Sequence, residues 1–299
     1  MIVVGIDPAP GKGLMICGDP KSDKVFTHVN ISEAHFYIVN LANKEVNQEG
    51  VLICWDSPLT GPPNGYLNPT NHLSLSKLDP NPYVQRRIEK TLTTLVKARA
   101  IDSTSKPSKV SGISTLPYSQ CSHWTISRAV LGLPRVGPYD RTDNLPFRLI
   151  TENMVPTKPE NCVIEVHPAL ALWLWLKDKR DDNAGTANDG DGRPSWRYKS
   201  GKKADRQAVF KDLWVSFRDL DCVRSVLDDS GKFPEEPEDD GTHDGTHDDD
   251  HLDAMVAYTL GKLWLRGDGS VKLYGDESCG SMLLPVELEA LLPESGICG

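Results

Sequence analysis

The run Val51-Leu52-Ile53-Cys54-Trp55, apolar at every position and closed by Asp56, constrains this chain more than any other segment. An uninterrupted apolar run of that length suits a strand buried on both faces, the kind found where helices cover a sheet from either side. Three further strand signals precede it. Ile2 to Ile6 is β-branched, and Leu14 to Cys17 and Val25 to Val29 follow after turn-forming segments, Pro8-Ala9-Pro10-Gly11 and Gly18 to Asp23. Turns this short join antiparallel neighbours. Ser32 stands where a helix cap belongs, with Glu33 near the start and Phe36, Ile38, Val39 and Leu41 as apolar positions. The expected order is strand, strand, strand, helix, strand.

Downstream, helical spacing of Val84, Ile88, Leu92 and Leu95 predicts a helix over Tyr83 to Ala100, and Trp124 to Leu131 reads as a short one. Cys162 to Val166 returns to strand character, and Pro168 opens a helix running through Trp175. Lys203 to Val226 is helical with a break near Asp219, and Leu252 to Leu265 forms an apolar-rich helix. Pro-, Gly-, Asn- and Asp-rich stretches separate these elements. The chain of 299 residues reads as one domain, 1–299, with long insertions at about 57–122, 180–202 and 229–248.

A chain this long buries an ample core without disulfides or a structural metal. The seven cysteines contain no C-x-x-C pair, and Cys17, Cys54 and Cys162 fall in apolar runs. They read as reduced core thiols. No run approaches the ~18 apolar residues of a membrane span. The first residues enter a strand directly and lack a secretory signal's basic start and cleavage site, so a cytoplasmic location with no membrane partner is expected. The net charge of −9 comes from one place: Glu235 to Asp253 carries ten acids and no Lys or Arg. The remaining surface is close to neutral, which excludes a strongly basic nucleic-acid coat but not a polyanionic substrate.

The chemistry-bearing residues are acids at the ends of elements. Asp7 ends the first strand, Asp56 the apolar one, and Glu165 lies near the end of another, while Asp250 and Asp253 open the last long helix at i,i+3 and share a face. A strand that ends in an acid sets its carboxylate at the sheet rim, where α/β folds place their sites. One such Asp is an ordinary turn former, and acids at a helix start serve the macrodipole. Five of them together suit an all-oxygen site for Mg²⁺ or Mn²⁺. Two ions ~3.5–4 Å apart would stabilise the attacking and leaving oxygens of a phosphoryl displacement.

These residues carry a resemblance. Gly5-Ile6-Asp7-Pro8 followed by Gly13 resembles the opening strand and turn of RuvC-type Holliday-junction resolvases, which belong to the RNase H-like superfamily. Asp250-His251-Leu252-Asp253-Ala254 is similar to their C-terminal acidic helix. A fuller similarity is to the family called domain of unknown function 429, regarded as nucleases of RNase H fold. It rests on Gly5-Ile6-Asp7, Trp55-Asp56-Ser57-Pro58-Leu59, Ile164-Glu165-Val166-His167-Pro168-Ala169 and Asp249-Asp250-His251-Leu252-Asp253-Ala254, in that order. The resemblance implies an α/β fold whose mixed central sheet has three antiparallel strands extended by parallel ones and flanked by helices. It further implies a metal-dependent nuclease acting on phosphodiester bonds of nucleic acid, with Asp7, Asp56, Glu165, Asp250 and Asp253 holding the metal.

Other roles are assigned around that set. Successive helical positions turn by ~100°, so three adjacent acids cannot share one face, and by spacing Asp253 pairs with either Asp250 or Asp249. The resemblance to the resolvase spacing implies Asp250 with Asp253, which leaves Asp249 as a cap or outer-shell group. His167 is a second outer-shell candidate. Lys199, Lys203 and Arg206 lie in the densest cationic stretch and are candidate phosphate contacts. His243, His247 and His251 are spaced by four, but Gly245 interrupts them, which favours a solvated acidic loop over a zinc site. Gly11-Lys12-Gly13 lacks the P-loop pattern. Two alternatives stand beside the nuclease: a nucleotide-dependent phosphotransferase of the actin-like or sugar-kinase type, and a non-catalytic nucleic-acid-binding protein on the same fold.

Overall fold

A computed structural model describes residues 1–9, 13–43, 48–59, 147–181, 203–228, 248–267, 269–276, 279–294 and 296–297. It also describes single positions between 86 and 131, and Trp196 and Tyr198. The opening elements are β1 (Ile2–Ala9), β2 (Gly13–Cys17), β3 (Phe26–Val29), helix α1 (Ile31–Leu41) and β4 (Val51–Trp55). After them come β5 (Arg148–Leu149), β6 (Cys162–Glu165), α2 (Pro168–Asp181), α3 (Lys203–Arg218), α4 (Asp221–Asp228) and α5 (Asp248–Arg266). The chain then forms β7 (Val271–Asp276), β8 (Gly280–Pro285) and a 3₁₀ helix, Val286–Leu291.

Six strands make one mixed sheet in the order β3-β2-β1-β4-β6-β5. β1, β2 and β3 are antiparallel, whereas β4 joins β1 in parallel and β6 joins β4 in parallel. This α/β arrangement, a three-stranded antiparallel meander extended by parallel strands, is RNase H-like. Side chains alternate between the two faces of a strand, and each face has its own core. Val4, Ile6, Ile53, Trp55 and Val163 share one with Ala34, Ile38 and Leu41 of α1. Val3, Leu52, Cys54, Cys162 and Ile164 share the other with α2, α3, α4 and α5. Every residue of β4 is buried, as its composition requires.

Helix α5 crosses the sheet over β1, and glycine permits that approach. A Cβ on Gly5 would overlap the Ala254 carbonyl oxygen and the Tyr258 backbone of α5. From the helix side, a Cβ on Gly261 would run into Cys54 Sγ and Val3 Cγ1. Helix and strand therefore meet backbone to backbone at Gly5, and at Gly261 the bare helix backbone receives the Cys54 and Val3 side chains.

Three details depart from the sequence reading. The cap residue of α1 is Asn30, not Ser32, and its side chain makes no capping hydrogen bond. The β7–β8 hairpin, invisible in the periodicity, extends the covered core and bridges to the main sheet through Val166 and Leu283. Cys17, Cys54 and Cys162 are buried free thiols, each pushed up by burial, but Cys279 is disulfide-bonded. It sits just before β8, and no spacing in the chain marks such a pair. The break expected near Asp219 is the junction between α3 and α4. Most of the expected insertions, including the acidic Asp/His repeat, lies outside the described residues, as do most of the helices expected over Tyr83 to Ala100 and Trp124 to Leu131. Among the described residues no helix is long and apolar enough to cross a membrane.

The helix–sheet seam makes a definite demand. Gly5→Ala is expected to destabilise the protein at or above the ~1–3 kcal/mol typical of overpacking, because backbone on the helix must move. Gly267→Ala, in open space at φ 65°, should cost about 1 kcal/mol from left-handed backbone alone. Urea unfolding of the two variants measures this. A smaller loss at Gly5 than at Gly267 would contradict the close approach.

Candidate metal centre

The parallel register sets two acids side by side. Ile6 pairs with Trp55, so Asp7 and Asp56 continue neighbouring strands at one level, and the Asp56 N–H donates to the Ile6 carbonyl at 2.9 Å. By alternation both share the face of Val3, Gly5, Leu52 and Cys54, the face covered by α5. The glycine seam lowers α5 onto that face, and Asp253, next to Ala254 of the contact, arrives above the strand ends. One carboxylate oxygen from each of Asp7, Asp56 and Asp253 lies within 4.8 Å of the others. Asp7 and Asp253 are buried and Asp56 is half-buried.

The donor set fits a hard divalent cation. Three carboxylates at such spacing repel one another by an amount on the order of 3 kcal/mol per pair at an effective dielectric near 20. A divalent ion relieves that repulsion, and an all-oxygen set suits Mg²⁺ or Mn²⁺ over softer metals. Asp253 is also held in place: the Tyr198 hydroxyl donates to its Oδ1 at 2.7 Å, and Tyr198 is itself buried. Tyr198 directly precedes Lys199 of the cationic stretch, and nothing else in the sequence singles it out. Its hydrogen bond to the helix acid is a contact across 55 residues that no local pattern announces.

The other expected site residues fall elsewhere. Asp250 is buried one turn before Asp253 but is not one of the three converging acids. Asp249 is half-buried on the neighbouring position and is likewise not one of the three. Glu165 pairs with Trp55, one residue short of Asp56, and by alternation belongs to the opposite face of the sheet. Its carboxylate is taken by a guanidinium. Arg86 Nη1 donates to Glu165 Oε2 at 2.7 Å, and Nη2 donates to Oε1. The same Arg86 binds Glu89 through Nε at 2.7 Å. All three side chains are buried. Burial alone would lower the Arg86 guanidinium, and the two carboxylates more than reverse it. Burial holds Glu89 above the usual carboxylate range, with Arg86 opposing and Glu165 adding to the rise.

His167 lies between β6 and α2, where its carbonyl accepts the Ala171 N–H at 3.0 Å and starts the helix. Lys203 and Arg206 lie on the first turns of α3, and Lys199 lies outside the described residues. His251 is on α5 and packs edge-on against Phe26, with ring centroids 4.8 Å apart, while His243 and His247 lie outside the described residues.

Sheet order, the acidic helix over β1 and the converging aspartates together define an RNase H-like α/β protein with a possible three-carboxylate metal site. The chain belongs to the family described as protein of unknown function DUF429, whose model matches residues 5–278. No curated protein and no solved structure matches it.

The resolvase-like spacing of Asp250 and Asp253 predicts a ranking. Asp253→Asn should weaken Mn²⁺ binding most, Asp250→Asn less and Asp249→Asn least, by calorimetry on each variant. Asp7→Asn should also lose binding while keeping or gaining thermal stability, because it relieves like-charge repulsion. Greatest loss at Asp249, or unfolding of Asp7→Asn, would refute this arrangement.

Proposed function

We propose that this protein is a metal-dependent nuclease that hydrolyses phosphodiester bonds in nucleic acid. The observation that carries the reading is the convergence of Asp7, Asp56 and Asp253 at the edge of an RNase H-like sheet. Asp7 and Asp56 would hold Mg²⁺ or Mn²⁺ from the strands, and Asp253 from the helix. Bound there, the cation supplies Lewis-acid stabilisation of the charge that develops on phosphoryl oxygens. The chain supplies fixed positions for it. Strand register aligns Asp7 with Asp56, and Tyr198 holds the Asp253 carboxylate in one orientation, so little reorganisation is left for the reaction itself. Burial of Asp7 and Asp253 lowers the local dielectric and strengthens every charge interaction at the site. Lys199, Lys203 and Arg206 remain the proposed phosphate contacts; they lie in sequence directly after Tyr198, which touches the site.

Labelled single-stranded DNA, duplex DNA, four-way junctions and RNA, incubated with the protein in Mg²⁺ or Mn²⁺, test the proposal. Cleavage of at least one substrate is expected, abolished by EDTA and reduced at least ~100-fold by Asp253→Asn. Cleavage that survives both treatments would come from another source. Binding without cutting in either metal would favour the non-catalytic reading, and ATP-dependent phosphotransfer would favour the kinase-like one.

A further inference from the structure

Glu165 accepts two contacts from opposite ends of one segment. The Leu59 backbone N–H donates to its Oε2 at 2.7 Å, and the Arg86 guanidinium binds both of its oxygens. Leu59 stands three residues after Asp56, and Arg86 stands at the far end of the chain that departs from there. Both contacts are buried: Leu59 is 0% exposed, Glu165 1% and Arg86 3%. Asp56 itself leaves β4 through a short turn whose Ser57 N–H returns to the Trp55 carbonyl at 3.0 Å. That carbonyl also accepts the Val166 N–H at 3.0 Å, from the residue next to Glu165. The strand that bears Glu165 is thus fastened to the turn that bears Asp56 through backbone and side chain together.

We propose that Glu165 is a positioning residue, not a metal ligand: clamped by Arg86, it fixes the Asp56–Leu59 turn and so the orientation of the Asp56 carboxylate. Both of its oxygens are already engaged, Oε1 and Oε2 by the guanidinium and Oε2 also by the Leu59 N–H, so a cation there would have to displace these contacts. Alternation places it on the sheet face away from Asp7 and Asp253. Glu89 completes the clamp by holding Arg86 from its own helix turn, through Nε and through the Arg86 N–H, which donates to Glu89 Oε2 at 2.9 Å. A buried carboxylate stripped of its partner is costly, so the three residues act as a unit. The consequence for metal binding rests on the nuclease reading above, whereas the clamp on the turn does not.

Two measurements on Glu165→Gln and the milder Arg86→Lys separate the possibilities. Amide exchange followed by NMR reads the turn directly. The Leu59 amide should be protected in the parent protein and exchange at least ~10-fold faster in Glu165→Gln, with a smaller change in Arg86→Lys. Unchanged protection in both would overturn the clamp whether or not the protein binds metal. Mn²⁺ calorimetry reads the consequence. Glu165→Gln should keep the parent's stoichiometry and lose roughly 10-fold in affinity, less than Asp253→Asn. Loss of binding equal to Asp253→Asn with the Leu59 amide still protected would make Glu165 a ligand. Unchanged affinity with an unprotected turn would make it merely structural, and either result overturns the proposal. If Glu165→Gln does not fold, Arg86→Lys must show both effects in weaker form for the proposal to stand. A parent protein that binds no Mn²⁺ at all would instead sink the metal reading and leave the exchange result to judge the clamp.

Discussion

The close approach of α5 to β1 is the constraint on which the rest of this structure depends. Gly5 lets the strand backbone touch the helix backbone, and Gly261 leaves room on the helix for the Cys54 and Val3 side chains, so the helix lies against the sheet instead of riding above it. That contact runs past Ala254 and Tyr258, and Asp253 is the residue immediately before it. Lowering the helix onto the strand is what takes one carboxylate from a position distant in sequence and sets it against Asp7 and Asp56. The cost of three neighbouring carboxylates is carried by the surrounding packing, since Leu252, Met255, Val256 and Leu260 are fully buried. Folding assembles the repulsive cluster, and a cation would relieve it.

Parity decides which acids join. Asp7 and Asp56 follow Gly5 and Cys54 by two residues each, so they inherit the face that α5 covers. Glu165 follows Ile164 by one and inherits the other face, where Arg86 meets it. The difference between a candidate ligand and an ion-pair partner is here a single step along a strand. The two clusters nonetheless remain neighbours through the Asp56–Leu59 turn. The metal site and the buried Glu–Arg–Glu group are therefore parts of one edge of the sheet, organised on its two faces.

Much of this architecture was legible in the chain. The apolar run at Val51–Trp55, the turn residues at 8–11 and 18–23, and the acid at the end of each strand specified the first half of the sheet and its rim. The acids at the start of the last helix pointed to Asp253, whereas spacing alone pairs it equally with Asp249 and Asp250. The side of the sheet on which Glu165 lies was not legible, because β6 is apolar through Ile164 on both faces and so lacks the alternation that would have revealed it. Arg86 and Tyr198 reach their partners across 79 and 55 residues, and such contacts leave no periodic trace. The β7–β8 hairpin escaped notice because its strands follow the long helix with Gly-rich, mixed-polarity sequence rather than a clean period of two.

A crystal of the protein soaked in Mn²⁺ tests the central claim most directly. Anomalous scattering should place an ion among the carboxylates of Asp7, Asp56 and Asp253, with Glu165 still paired to Arg86. Manganese bound elsewhere, with none between these three aspartates, would contradict the account.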